Sequence, residues 1–266
     1  MINIIQADLY KLKKSKSIQI LFLIMWAAAA IVTLVSYLVA QGKVGAEISG
    51  PISGLSDVMT IAIAGPFLAG IYICSDFSNK SINDTISSCG NSRGVVIISK
   101  AIVLYLLVFL MILPYTVVTI IAFSTGAEFS EPFSASIFLH ILANQTELNL
   151  TGAVVGKMLV IMLVMMLAYA SQMSIGILLA FIVRKTSLVI FLGFGIIMVL
   201  QILGGLGTEI SAIENILSFT PFSVNNQDLF MDSEIADILK AIGVSLLFIV
   251  WMLSITNGVF RKSEIK

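Results

Sequence analysis

Met158–Val183 reads MLVIMLVMMLAYASQMSIGILLAFIV, Arg184-Lys185 follows, and Thr186–Thr208 continues as TSLVIFLGFGIIMVLQILGGLGT. Two uncharged runs of 26 and 23 residues therefore flank a basic link of two residues. At 1.5 Å of rise per residue, each run covers a hydrocarbon core about 30 Å thick. Backbone amides in hydrocarbon must be bonded within their own segment, so both runs are helices, and the short link makes them an antiparallel hairpin across a membrane. A transmembrane β-barrel would instead show alternating segments of about ten residues, and none appear.

The same reading extends outward along the chain. Ser17–Ala40, Val58–Ser75, Ala101–Ala127 and Ala241–Phe260 are further uncharged runs of 24, 18, 27 and 20 residues. The expectation is an all-α integral membrane protein. Residues 1–266 form one transmembrane domain with six helices, at about 17–40, 58–75, 97–124, 154–183, 186–207 and 239–260. Composition agrees: 58% of the 266 residues are hydrophobic and 11% are charged, where a soluble domain carries about 25% charge. That excludes a soluble enzyme, a disordered chain and a nucleic-acid binder. The first run is longer than the apolar stretch of about 7–15 residues in a signal peptide, and no small-residue cleavage box follows it, so it is expected to be retained. Pro66 and Pro114 each remove a backbone donor inside a span, and Gly193 and Gly195 permit close helix approach in the fifth.

Basic residues fix the expected orientation. With the N-terminus inside, the inner loops and ends hold twelve: Lys11, Lys13, Lys14, Lys16, Lys80, Arg93, Lys100, Arg184, Lys185, Arg261, Lys262 and Lys266. The outer side holds Lys43, Lys157 and Lys240. Of the fifteen acids, four (Asp8, Asp76, Asp84, Glu264) fall inside and eleven outside, giving +8 on the inner face and −8 on the outer. A chain of zero net charge is thus strongly polarised, with both termini expected in the cytoplasm.

Residues 1–16 place Ile2, Ile5, Leu9 and Leu12 at helical spacing ahead of a lysine cluster, which predicts an amphipathic helix on the inner leaflet with membrane lipid as its partner. Residues 76–96 form the one substantial inner loop. A short helix is expected there from about Lys80 to Cys89, with Ile82 and Ile86 on one face and Gly90 as its stop. The outer loops are 125–153 and 208–238. In the first, Phe133, Ile137, Phe138, Ile141 and Leu142 share a helical face within 132–146, a segment too short to span and read as interfacial or re-entrant. The second is acid-rich, as a solvated cap or a site for a cationic ligand. Asn-x-Ser/Thr sequons stand at Asn79, Asn83, Asn144 and Asn149, but the first two fall on the inner side, which favours chance over glycosylation.

Motifs for catalysis are missing. Gly152-Ala-Val-Val-Gly-Lys157-Met has one residue too few between its glycines for a phosphate-binding loop and lacks the hydroxyl after lysine. Cys74 and Cys89 have fourteen residues between them, which fits no zinc spacing, and His140 is the single histidine. The six uncharged runs contain no mid-membrane Asp, Glu, Lys or Arg of the kind that ion-driven transporters use. Gln172 and Ser174 in span four and Gln201 in span five are the candidate lining of a cargo path, with interhelical hydrogen bonding as the alternative.

The layout resembles a type-2 permease of the ATP-binding-cassette superfamily, such as the small permeases that export peptides or confer immunity to lantibiotics. The resemblance runs along the whole chain and is most specific at Asp76-Phe-Ser-Asn-Lys-Ser-Ile-Asn-Asp-Thr-Ile86, Gly90-Asn-Ser-Arg93 and Lys100, with Pro221-Phe-Ser223 before the last span. Lys80-Ser81 stands where Gly-Thr is usual. The resemblance implies a coupling helix between spans two and three. It assigns ATPase contact to Asp76, Asn79, Lys80, Ile82, Asp84, Ile86 and Arg93. It also implies two copies of a separate ATPase that binds ATP and Mg, no cofactor or enzymatic activity in this chain, and a second permease copy or homologue. The cargo would be hydrophobic or amphipathic peptide, such as a toxin or antimicrobial peptide, exported across a bacterial plasma membrane. A secondary transporter or channel, or a non-enzymatic receptor or immunity protein, is the alternative.

The charge division is checked by cysteine labelling of cells in a background lacking Cys74 and Cys89. Single cysteines at Ser15, Ser92 and Ser263 should resist a membrane-impermeant thiol reagent, while those at Ser49, Ser130 and Ser233 react.

Overall fold

The computed structural model describes residues 1–48, 52–87, 90–130, 151–207, 210–227, 229–230 and 232–262. Its elements are α1 (Ile2–Lys14), α2 (Lys16–Ala40), α3 (Asp57–Ser78), α4 (Ser81–Ser87), α5 (Arg93–Ser124), α6 (Gly152–Val183), α7 (Thr186–Gly207), α8 (Ser211–Leu217), α9 (Val224–Gln227) and α10 (Ile235–Lys262). The six long ones, α2, α3, α5, α6, α7 and α10, are each long and apolar enough to cross a bilayer. The protein is a multi-pass membrane protein. At 32 residues, α5 and α6 reach about 48 Å and so extend past the hydrocarbon core or tilt within it. The 132–146 segment, His140 and Cys89 lie outside the described residues.

α6 is the centre of the bundle, touching α3, α5, α7 and α10, while α5 also carries α2 and α1. Its buried face includes Met158, Ile161, Met165, Tyr169, Met173, Ile177 and Phe181, at steps of three and four residues. α2, α7 and α10 are peripheral. They turn Leu23, Phe191 and Leu247 outward at 66%, 75% and 72% exposure. Apolar surface of that extent on three peripheral helices faces hydrocarbon.

Two close approaches depend on glycine. A Cβ on Gly193 would lie 2.8 Å from the Cβ of Pro66, so α7 packs on the proline ring of α3 only because that position is bare. A Cβ on Gly204 would run into the carbonyl oxygen of Phe222. Gly195, expected to serve the same purpose as Gly193, meets nothing within 4 Å and faces outward.

Past Pro66, α3 widens into a π-helical turn at Gly70–Cys74 before closing again as Ser75–Ser78. A π turn leaves a carbonyl poorly served by its own helix. The Thr186 hydroxyl, at the start of α7, donates to the Gly70 carbonyl at 3.3 Å.

Gly193→Ala should therefore destabilise the bundle by about 1–3 kcal/mol, the usual cost of overpacking against a rigid neighbour. Gly195→Ala should be neutral. Thermal unfolding of the two variants in one detergent gives the comparison.

Candidate functional site

Four charged side chains meet where α1, α3 and α5 converge. Lys100, at 4% exposure, donates from Nζ to both carboxylate oxygens of Asp8, each at 2.8 Å, and to Oδ2 of Asp76. Lys11 pairs with the other oxygen of Asp76, and the Tyr72 hydroxyl donates to Oδ2 of Asp8 at 2.7 Å. The ammonium of Lys100 also stands 4.6 Å from the centre of the Tyr72 ring, a cation–π contact in a desolvated setting. Tyr72 and Asp76 are four residues apart on one stretch of α3, the first of them within the π turn. Two carboxylates and two ammonium groups cancel, and all three donors of Lys100 are used. Removing one partner of a buried pair costs about 3–5 kcal/mol, because the remaining charge stays buried.

A second cluster joins the helix ends beside the first. The rings of Phe77, Phe181 and Phe260 meet edge-on with centroids 5.0–6.1 Å apart, bringing α3, α6 and α10 together. Arg93 donates from Nη1 to the carbonyls of Phe260 at 2.7 Å and Arg261 at 2.8 Å, capping α10 with positive charge where its dipole is negative. Arg184, left-handed at φ 55°, ends α6 and covers the Phe77 ring at 5.0 Å.

These contacts sort the residues expected to meet an ATPase. Asp76 is 1% exposed and belongs to the ionic cluster. Ile82 is also 1% exposed, packed in the core, and Ile86 is half-buried against the same core. The two isoleucines are therefore not a pair of outward knobs: the face of α4 that carries Ile82 is spent on α5. Asn79, Lys80 and Asp84 are exposed, and Arg93 is half-buried on α10. Gly90 takes φ 65°, the conformation expected of a helix stop. Between α1, α4 and the start of α5 lies a cleft of about 460 Å³, lined among others by Ile4, Asp8, Ile82, Thr85, Asn91 and Val96.

The N-terminal helix also departs from its expected face. Asp8 and Leu12 are buried, whereas Ile2 and Leu9 are 66% and 38% exposed. The stripe of four apolar residues is split, because the face turned inward is the one that carries Asp8 to Lys100.

At the centre of the bundle, Gln172, Gln201 and Ser174 make hydrogen bonds within the chain. Gln201 donates to Gln172 at 3.3 Å, Gln172 donates to the carbonyl of Pro221 at 2.9 Å, and Ser174 shares a 2.7 Å hydrogen bond with Tyr105. Gln172 lies eleven residues from the Val183 end of α6, about 16 Å along the axis. Pro221 therefore reaches into the interior, and the chain from α8 to α9 does not lie wholly in the outer loop expected over 208–238. Phe222 packs edge-on against Phe248 of α10 at 6.2 Å. Non-helical backbone at this depth is stable only where protein supplies the missing hydrogen bonds. Gln227 donates to the Pro221 carbonyl at 2.7 Å, and Asn226 donates to the carbonyls of Ser218 and Thr220 at 3.0 and 2.9 Å.

Lys100→Met should lower stability by about 3–5 kcal/mol, and Asp8→Asn should have a smaller effect. In a double-mutant cycle the Lys100→Met and Asp8→Asn effects should be non-additive, as shared partners require. Equilibrium unfolding in mixed micelles measures both. No family model, curated protein or solved structure matches this chain, and the ionic cluster, the aromatic clamp and the inserted amide turn are the features on which a function rests.

Proposed function

We propose that this chain is the membrane-spanning permease subunit of an ATP-driven exporter of the ATP-binding-cassette type. The observation that carries the reading is the attachment of α4. Ile82 and Ile86 seat this short helix on the core, and Asp76, just before it, is pinned to α1 and α5 through Lys11 and Lys100. A push on α4 is delivered to α1, α3 and α5 together, which is what a transporter without an energy source of its own requires. The exposed groups of that surface, Asn79, Lys80 and Asp84, form a polar rim for a partner, and the adjoining cleft offers an apolar floor.

In this reading the basic end faces the cytoplasm of a bacterium, two ATPase copies hold ATP and Mg, and two permease subunits, identical or homologous, form the path. The cargo is amphipathic or hydrophobic peptide. An ion-coupled transporter is the second reading, favoured by one observation. Asp57, at the opposite end of α3, is fully buried and accepts a hydrogen bond from Tyr169 at 3.2 Å.

Replacement of Ile82 by Asp would test folding rather than docking, so the informative variant is Lys80→Glu with Asp84→Lys. Copurification of the ATPase and cargo-stimulated hydrolysis should fall about tenfold or more, as loss of a charged rim contact allows, with insertion unchanged. The purified permease alone should not hydrolyse ATP. Transport that survives ATP depletion but stops with an ionophore and in Asp57→Asn would favour the second reading.

A further inference from the structure

The turn that enters the bundle also walls a small chamber. Gly204 and Gly207 of α7, Glu214 and Leu217 of α8, and Ser223 and Asn225 beyond it line a cavity of about 230 Å³. Two positions of the α7 wall are glycines, which lets the chain fold back closely so that Glu214 passes Gly207 and Phe222 passes Gly204. Pockets for whole small molecules run to about 300–1,000 Å³, so this one admits a single side chain or a small amine.

Its polar groups are acceptors with capacity to spare. The Glu214 carboxylate is half-buried and receives the Asn225 amide at Oε1, 2.7 Å away. No salt bridge reaches it among the described residues. Ser223 is 3% exposed, lines the cavity, and its hydroxyl has no hydrogen-bond partner among the described residues. The oxygen is not sealed off in the core but opens on the cavity, where a donor can reach it. The loops and helix ends at this end of the bundle add Glu47, Asp57, Glu128, Asp232, Glu234 and Asp237, against Lys43, Lys157 and Lys240. The local field therefore attracts cations.

We propose that this cavity binds a primary ammonium group, such as the end of a lysine side chain. An ammonium has three donors and no acceptor. Glu214 supplies charge and one acceptor, Ser223 a second acceptor, and the leucine and glycine walls take the methylene arm. Anions are excluded by Glu214, and a neutral alcohol gains no ion pair. The site holds whatever drives transport; under the reading above, it takes a lysine of the peptide cargo.

The probe is Nα-acetyl-lysinamide, with Nα-acetyl-norleucinamide as the uncharged control, each presented to the full chain in nanodiscs. Saturation-transfer NMR should label the ε-methylene of the lysine probe and leave the control silent, and 0.5 M salt should weaken the signal. Glu214→Gln should weaken binding about tenfold or more, the scale of a charge-assisted hydrogen bond, and Ser223→Ala several-fold. Gel filtration and unfolding midpoint establish that each variant is folded, and should Glu214→Gln fail there, Ser223→Ala carries the test. Equal signals from both probes, undiminished binding in the folded variants, or no binding of the lysine probe to the native chain would overturn the assignment. Failure of ATPase docking would leave it untouched.

Discussion

The burial of Lys100 constrains the rest of this molecule. An ammonium at the start of a long apolar helix is stable only where carboxylates meet it, and here Asp8 and Asp76 arrive from two different helices. One cation thus fixes the angle of α1 on α5 and the rotation of α3 about its own axis. The π turn belongs to the same constraint, since it lies between the proline contact with α7 and the carboxylate that Lys100 requires. Thr186 supplies the bond that the widened turn leaves open, so the local irregularity is held from both sides.

The helical architecture was legible in the chain because hydrocarbon imposes a simple rule on length and charge. Asp76 and Lys100 both carry the family resemblance, but their contact is not legible in the sequence, since nothing local indicates that residues 24 positions apart meet. Asp8 did leave a trace. It lies three residues from Ile5 and four from Leu12, inside a stripe that should be apolar, and a carboxylate there implies a buried cation. The burial of Ile82 is not legible because amphipathicity identifies an apolar face without saying what covers it.

The segment before the last helix was harder still. Its charges and turn residues imply a solvated loop, yet Asn226 and Gln227 serve the backbone as donors within the bundle. Three consecutive amides, Asn225-Asn226-Gln227, beside a proline and opposite Gln172 and Gln201, are the available sign. Amide side chains can replace water as hydrogen-bond partners of irregular backbone, which is how such a turn becomes compatible with an apolar surrounding.

The separation of Asp8 from Lys100 bears on how the protein is made. The two residues lie 92 positions apart, with α2, α3 and α4 between them. At about 5–20 residues per second of synthesis, Asp8 leaves the ribosome about 5–20 s before its cation. For that interval the carboxylate has water as its only adequate solvent, so α1 stays at the membrane surface while α2 inserts behind it. Docking of the first helix is thus among the later events of assembly, and it reports that the third membrane span has arrived.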